Sequence, residues 1–133
     1  MEDVDSKTKN NTDIVLIEDD RFLQDLLSKK LVTEGFSVRS AYDGEDGLRL
    51  TKELKPKLIL LDILLPGIDG FEFLGLVKKD VALKSIPIIV LSNLGQREEI
   101  DRALELGATD FLIKANFAPD EILRKVRAVL EKV

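Results

Sequence analysis

The chain has no cysteine, no histidine and no tryptophan. Without thiol or imidazole there is no disulfide framework, no Cys/His zinc site, no iron–sulfur centre, and no Ser-His-Asp or Cys-His nucleophile pair. Any metal must be held by oxygen, which narrows the ion to Mg2+, Mn2+ or Ca2+. A basic surface is missing as well: 20 Lys and Arg against 25 Asp and Glu leave a net charge of −5, with pI ≈ 4.9. Nucleic acid and anionic membrane both need a basic footprint, so neither is expected as the main partner. No run of 18 apolar residues exists, and Met1-Glu2-Asp3-Val4-Asp5 is acidic where a signal peptide would be basic and then apolar. A cytoplasmic location is expected.

What is present suits one ordinary domain: 133 residues, 44% hydrophobic and 34% charged. At this size about two-thirds of the extended chain's surface can be buried, so a core forms without staples. Residues 1–12 carry one large aliphatic residue, Val4, after the initiator Met, and read as a flexible tail. The domain is expected over 13–133.

From Asp13 onward, short aliphatic runs alternate with amphipathic stretches. Ile14-Val15-Leu16-Ile17, Leu58-Ile59-Leu60-Leu61, Ile88-Ile89-Val90-Leu91 and Phe111-Leu112-Ile113 are nearly unbroken, as parallel strands covered on both faces should be. Phe36-Ser37-Val38-Arg39-Ser40 alternates instead and reads as an edge strand. Five helical patterns lie between and after them. Leu23, Leu26, Leu27 and Leu31 make the first stripe, closed by Gly35. Leu48, Thr51 and Leu54 make the second, stopped before Pro56. Phe71, Leu74 and Val77 make the third, opened by Asp69-Gly70, and Ile100, Ala103, Leu104 and Gly107 mark the fourth. The fifth runs from Pro119 through Ile122, Val126, Val129 and Val133. The reading is α/β: a (βα)5 doubly wound open parallel sheet, with ligands expected beyond the carboxyl ends of the strands.

Each aliphatic run exits into a polar or ionisable residue: Glu18-Asp19-Asp20 after the first strand, Asp62 after the third, Ser92 after the fourth, Lys114 after the fifth. If the strand order is 2-1-3-4-5, the acids of the first strand lie ~4.8 Å from Asp62, and Lys114 lies two strands away at ~10 Å, within its reach. Two carboxylates at ~4 Å cost roughly 4 kcal/mol at an effective dielectric near 20, so positive charge must offset them. Lys114 supplies one charge; a divalent ion with oxygen ligands supplies two, and Mg2+ suits one or two carboxylates plus phosphate oxygens best. Asp62, followed by a turn set by Pro66 and Gly67, then reads as a nucleophile able to form an acyl phosphate. Mg2+, Lys114 and the Ser92 hydroxyl would hold the three equatorial oxygens. Taken singly, each residue has a plainer reading: helix capping for the acids, a loop hydroxyl for Ser92, a solvated charge for Lys114. Four such residues on one edge of a sheet are harder to obtain from independent structural causes.

The stretches IVLIEDD, LILLDILLPGIDG, IPIIVLSN and GATDFLIK, with 43 residues from Asp19 to Asp62, 30 to Ser92 and 22 to Lys114, resemble a response regulator receiver domain. The resemblance covers about Asp13 to Val133 and implies the flavodoxin-like strand order 2-1-3-4-5. It implies that Asp62 accepts a phosphoryl group from a partner's phosphohistidine. Glu18 and Asp19 would hold Mg2+ with Asp62 and the backbone carbonyl of Leu64, while Asp20 starts a helix. Ser92 takes the switch hydroxyl position, Lys114 pairs with the phosphoryl group, and Phe111 is the switch aromatic. The face of the fourth helix, fifth strand and fifth helix would be read by a downstream protein or a second receiver. The chain would be a monomer or a phosphorylation-dependent dimer.

Several positions depart from the family pattern. Ala115 follows Lys114 where many receivers have proline, Asn93 follows Ser92 where a smaller residue is usual, and Phe111 lacks the hydroxyl of the common tyrosine. Leu64 and Leu94 are apolar where polar side chains can orient water, which predicts slow autodephosphorylation. Three competing functions are a haloacid-dehalogenase-like phosphatase, a flavodoxin-type flavin carrier and a phosphorylation-independent interaction module. The phosphatase wants a D-x-D pair after the first strand, where Glu18-Asp19-Asp20 stands. The flavin carrier wants a hydroxyl- and glycine-rich loop there. A receiver is a switch rather than an enzyme, and with no output domain expected after the fifth helix, its signal would pass by protein contact. With no histidine of its own, the chain can be only the aspartate end of a phosphohistidine relay. Its donor must be a histidine kinase, a histidine phosphotransfer protein or a small acyl phosphate.

Overall fold

The protein is described from a computed structural model, over residues 12–93, 97–114 and 118–131. Strands and helices alternate: β1 Ile14–Ile17, α1 Arg21–Thr33, β2 Val38–Ala41, α2 Gly44–Leu54, β3 Leu58–Asp62, α3 Gly70–Lys79, β4 Ile88–Ser92, α4 Arg97–Glu105, β5 Asp110–Ile113 and α5 Pro119–Leu130. The five strands form one parallel sheet in the order β2-β1-β3-β4-β5, as expected. β1, β3 and β4 are buried along their whole length, which is why their sequences are unbroken aliphatic runs. β2 lies at one edge and is half exposed, matching its alternating sequence.

Successive strand side chains point to opposite faces, so one sheet feeds two cores. Val15, Ile17, Ile59, Leu61, Ile88 and Val90 pack against Leu50 and Leu54 of α2, Phe73 and Val77 of α3, and Ala103 of α4. Ile14, Leu16, Leu58, Leu60, Ile89 and Leu91 pack against Leu27 and Leu31 of α1 and Ile122 and Val126 of α5.

Helix ends follow local chemistry. Asp20, Asp43 and Asp69 cap α1, α2 and α3, their carboxylates accepting from the main-chain N–H of Leu23, Asp46 and Glu72. Gly35 closes α1 with φ +100°, and Lys55 ends α2 in the left-handed region before Pro56.

The helical stripes differ from the sequence reading in three places. Leu26 of α1 is half exposed, and Gln24 takes the buried position instead. In α3, Phe73 is fully buried, whereas Phe71 is partly exposed with the Arg102 guanidinium 4.1 Å over its ring. Leu104 of α4 is exposed. Thr12, assigned to the tail, is buried; the rest of the 1–12 tail lies outside the described residues, as do Leu94, Ala115 and Val133.

Candidate functional site

Strand register builds the site. Ile17 pairs with Leu61, so the next residues, Glu18 and Asp62, leave adjacent parallel strands side by side. One carboxylate oxygen from each of Glu18, Asp19 and Asp62 lies within 4.8 Å of the others. Glu18 is fully buried, Asp62 nearly so, and Asp19 is exposed at the rim.

Lys114, just past β5, spans β4 to reach this group. Its Nζ lies 2.9 Å from Asp62 Oδ2, to which it donates a hydrogen bond, and 2.9 Å from Glu18 Oε1. Its own main-chain N–H donates to Ser92 O at 2.7 Å, which fixes where the side chain starts. Asp62 Oδ1 accepts from the Leu64 N–H at 3.0 Å, and Glu18 Oε2 accepts from the Asp20 N–H at 3.0 Å. Glu18 Oε1 is different: it is buried, and among the described residues its one charge partner is the Lys114 ammonium, which it shares with Asp62 and meets at a poor hydrogen-bonding angle.

Three carboxylates therefore face one ammonium, and burial sharpens the imbalance. Desolvation, followed by the neighbouring Asp62 charge, pushes the Glu18 carboxyl up to about 7, against the opposing Asp20 N–H and Lys114. Burial also raises the Asp62 carboxyl, with Lys114 the main opposing influence. Burial disfavours the Lys114 charge, yet hydrogen bonding and attraction from Asp62 and Glu18 together outweigh it and raise its pKa. A divalent ion with oxygen ligands fits this donor set on two counts. It would supply the missing positive charge, and among the described residues the buried Glu18 Oε1 has no well-aligned donor of its own.

The remaining predicted residues stand at different distances from this centre. Ser92 ends β4 and is buried, but its Oγ donates to Asn93 O at 3.1 Å rather than to Asp62. The Leu64 side chain is 50% exposed. Phe111 lies in the edge strand β5, partly buried against the α2, α3 and α4 side, with the Lys125 ammonium 5.2 Å from its ring centre. Asp20 is the α1 cap, as the sequence indicated.

Two supporting roles escaped the sequence reading, that of Gln24 altogether and that of Gly70 beyond its place at the start of the third helix. The Gln24 amide, from the first turns of α1, donates to Glu18 O and Ala41 O. Its signal was a polar residue inside an apolar stripe. Gly70 starts α3 so close to the β3 exit that a Cβ there would stand 2.6 Å from Ile63 Cα and 2.9 Å from Asp62 O. Its N–H donates to Ile63 O at 2.9 Å, so helix and strand exit are joined without room for a side chain.

Fold and site together define a class: a doubly wound α/β domain whose working end is acidic and has no glycine-rich phosphate loop after β1. Over residues 14–127 the chain matches the model of the response regulator receiver domain, and it belongs to that family. It is 38% identical over 119 residues to the DNA-binding dual master transcriptional regulator RpaA of Synechocystis, covering 90% of this chain and 49% of RpaA. The chain thus spans about half the length of the curated relatives it matches. Among solved structures, the receiver domain of NtrX from Brucella abortus superposes with a TM-score of 0.84 at 31% identity, covering 91% of this chain and all (100%) of that one. Vibrio cholerae chemotaxis protein CheY4 gives 0.83 at 27% identity, covering 90% and 99%. Receivers of two-component systems are signalling switches that work with histidine kinases and downstream effectors. No helix among the described residues is long and apolar enough to cross a membrane.

Proposed function

We propose that this receiver is a Mg2+-dependent phosphoacceptor whose nucleophile is Asp62. The observation that carries the reading is the Asp62 carboxylate itself: buried at the exit of the central strand, bonded to Lys114 Nζ and to the Leu64 N–H, and adjoined by two further carboxylates. An Asp62 oxygen attacks phosphorus of a phosphohistidine; the new O–P bond forms as the N–P bond breaks, and the imidazole leaves with the nitrogen's electron pair. Lys114, already at 2.9 Å, balances negative charge on the phosphoryl oxygens. Glu18, Asp19 and Asp62, with the Leu64 carbonyl, would hold the Mg2+. When bound, the ion supplies positive charge against the same oxygens and relieves the carboxylate repulsion.

Ser92, at the end of β4 beside β3, is the switch hydroxyl, its Oγ exchanging Asn93 O for a phosphoryl oxygen. Phe111 follows as the switch aromatic, and the α4-β5-α5 face is the surface presented to a downstream protein or a second receiver. The chain has no histidine to donate from, so the donor is a histidine kinase, a histidine phosphotransfer protein or a small acyl phosphate. Intact-mass analysis after incubation with acetyl phosphate and MgCl2 tests the reading. A gain of one phosphoryl mass, absent in Asp62→Asn and absent with EDTA, supports it. No gain in the native chain supports a phosphorylation-independent module, and continuous phosphate release from many substrates supports a phosphatase.

A further inference from the structure

We propose that Gln24 is a positioning residue for the divalent-cation site, holding the peptide between Glu18 and Asp19 in place; this rests on the cation reading above. β1 and β2 have no paired residues beyond Ile17 and Ala41, and the last main-chain bond between them runs from Glu18 N to Ala41 O at 3.1 Å. At that point α1 sends the Gln24 amide back across the gap. Nε2 donates to Glu18 O at 3.0 Å and to Ala41 O at 2.9 Å, so one NH2 group adds a further rung to the ladder. Two carbonyl acceptors fix the amide's orientation, since a flipped amide would set its oxygen against both.

The position of this rung matters more than its strength. The carbonyl of Glu18 belongs to the peptide unit that joins Glu18 to Asp19, and each end of that unit carries one of the converging carboxylates. Rotation of this peptide would move the two carboxylates relative to each other and to Asp62, which is fixed separately by β3. Gln24 is 5% exposed and sits in the first turn of α1, where its main-chain N–H makes the helix's opening bond to the cap carbonyl, Asp20 O, at 2.9 Å. The amide is therefore a rigid strut, and it touches none of the three carboxylates.

Titration calorimetry with MgCl2 on the full chain tests this. Gln24→Met keeps length and burial but has no donor, and should weaken Mg2+ binding about tenfold, the scale usual for groups that orient metal ligands. Thr51→Val removes a buried side-chain bond of similar kind, Thr51 Oγ1 to Gly47 O at 2.8 Å, on α2. It should leave the Mg2+ affinity within about twofold, as expected for an independent position. Equal Mg2+ affinity in Gln24→Met and the native chain overturns the proposal, as does equal weakening by Thr51→Val. Failure of the native chain to bind Mg2+ overturns the cation reading instead. Should Gln24→Met not fold, NMR of the native chain decides: the Gln24 side-chain NH2 signals should move with MgCl2 at the same midpoint as the Asp19 amide. Signals that stay still refute the strut.

Discussion

Glu18→Gln should make the cation-free protein more stable at pH 8 and remove part of its pH dependence. The native Glu18 carboxyl is raised from its ordinary 4.5 to about 7, chiefly by burial and next by the Asp62 charge. Below pH 4.5 this carboxyl is protonated in both folded and unfolded chains and contributes no difference. Between 4.5 and 7 the unfolded chain releases the proton while the folded chain keeps it, so stability falls as pH rises. Above 7 the folded state carries the full penalty of a buried carboxylate, about 3 kcal/mol from the gap between those two values. The amide introduced at position 18 would accept from the Asp20 N–H as the carboxylate does and leaves Lys114 paired with Asp62 alone. Urea unfolding followed by far-ultraviolet circular dichroism, in EDTA at pH 4.5 and pH 8, measures the difference between native and variant at each pH. The variant should gain up to about 3 kcal/mol relative to the native chain at pH 8 and little at pH 4.5. A difference between the two chains that does not change with pH would refute the reasoning, because the burial penalty would then be absent.

Lys114→Met removes the cation shared by Asp62 and Glu18. Stability in EDTA at pH 8 should fall by on the order of 3 kcal/mol, and MgCl2 should restore part of it, both read from the same unfolding curves. Leu64→Asn puts an amide two residues after Asp62, in place of a half-exposed apolar side chain. The acyl phosphate should then decay about tenfold faster, the worth of roughly one hydrogen bond to an attacking water, measured by intact mass against time. An unchanged decay rate removes the idea that the apolar side chain slows hydrolysis.

The sheet was legible because its central strands are buried on both faces, and unbroken runs such as Ile88-Ile89-Val90-Leu91 leave little choice of element. The converging carboxylates were legible for a related reason: in a parallel sheet, every strand exit lies on the same edge, so Glu18, Asp62 and Lys114 meet once the order is known. What stayed hidden was rotation about helix axes and side-chain bonds. Leu26 and Gln24 differ by two positions, and only the β1 and β2 exits decide that the amide turns inward and the leucine outward. Phe71 and Phe73 present the same ambiguity, resolved by Arg102 lying over the first. The Ser92 hydroxyl is a one-bond choice, and its partner, Asn93 O, belongs to a loop shape that no residue pattern encodes.

The reach of Lys114 across the sheet has a mechanical consequence. β3 is bonded to a strand on each side, whereas β5 has the ladder of β4 on one side only. The ion pair thus ties a strand held on both sides to one held on a single side. On the phosphoacceptor reading, a change in the charge borne at Asp62 would change the pull along that tie, and of the two strands β5 has the fewer ladder bonds to resist it. β5 carries Phe111 three residues before Lys114, and Asp110 beside it is anchored to Lys125 of α5 at 3.1 Å. Asp62 at the centre of the sheet and Lys125 on α5 are thus joined through one edge strand.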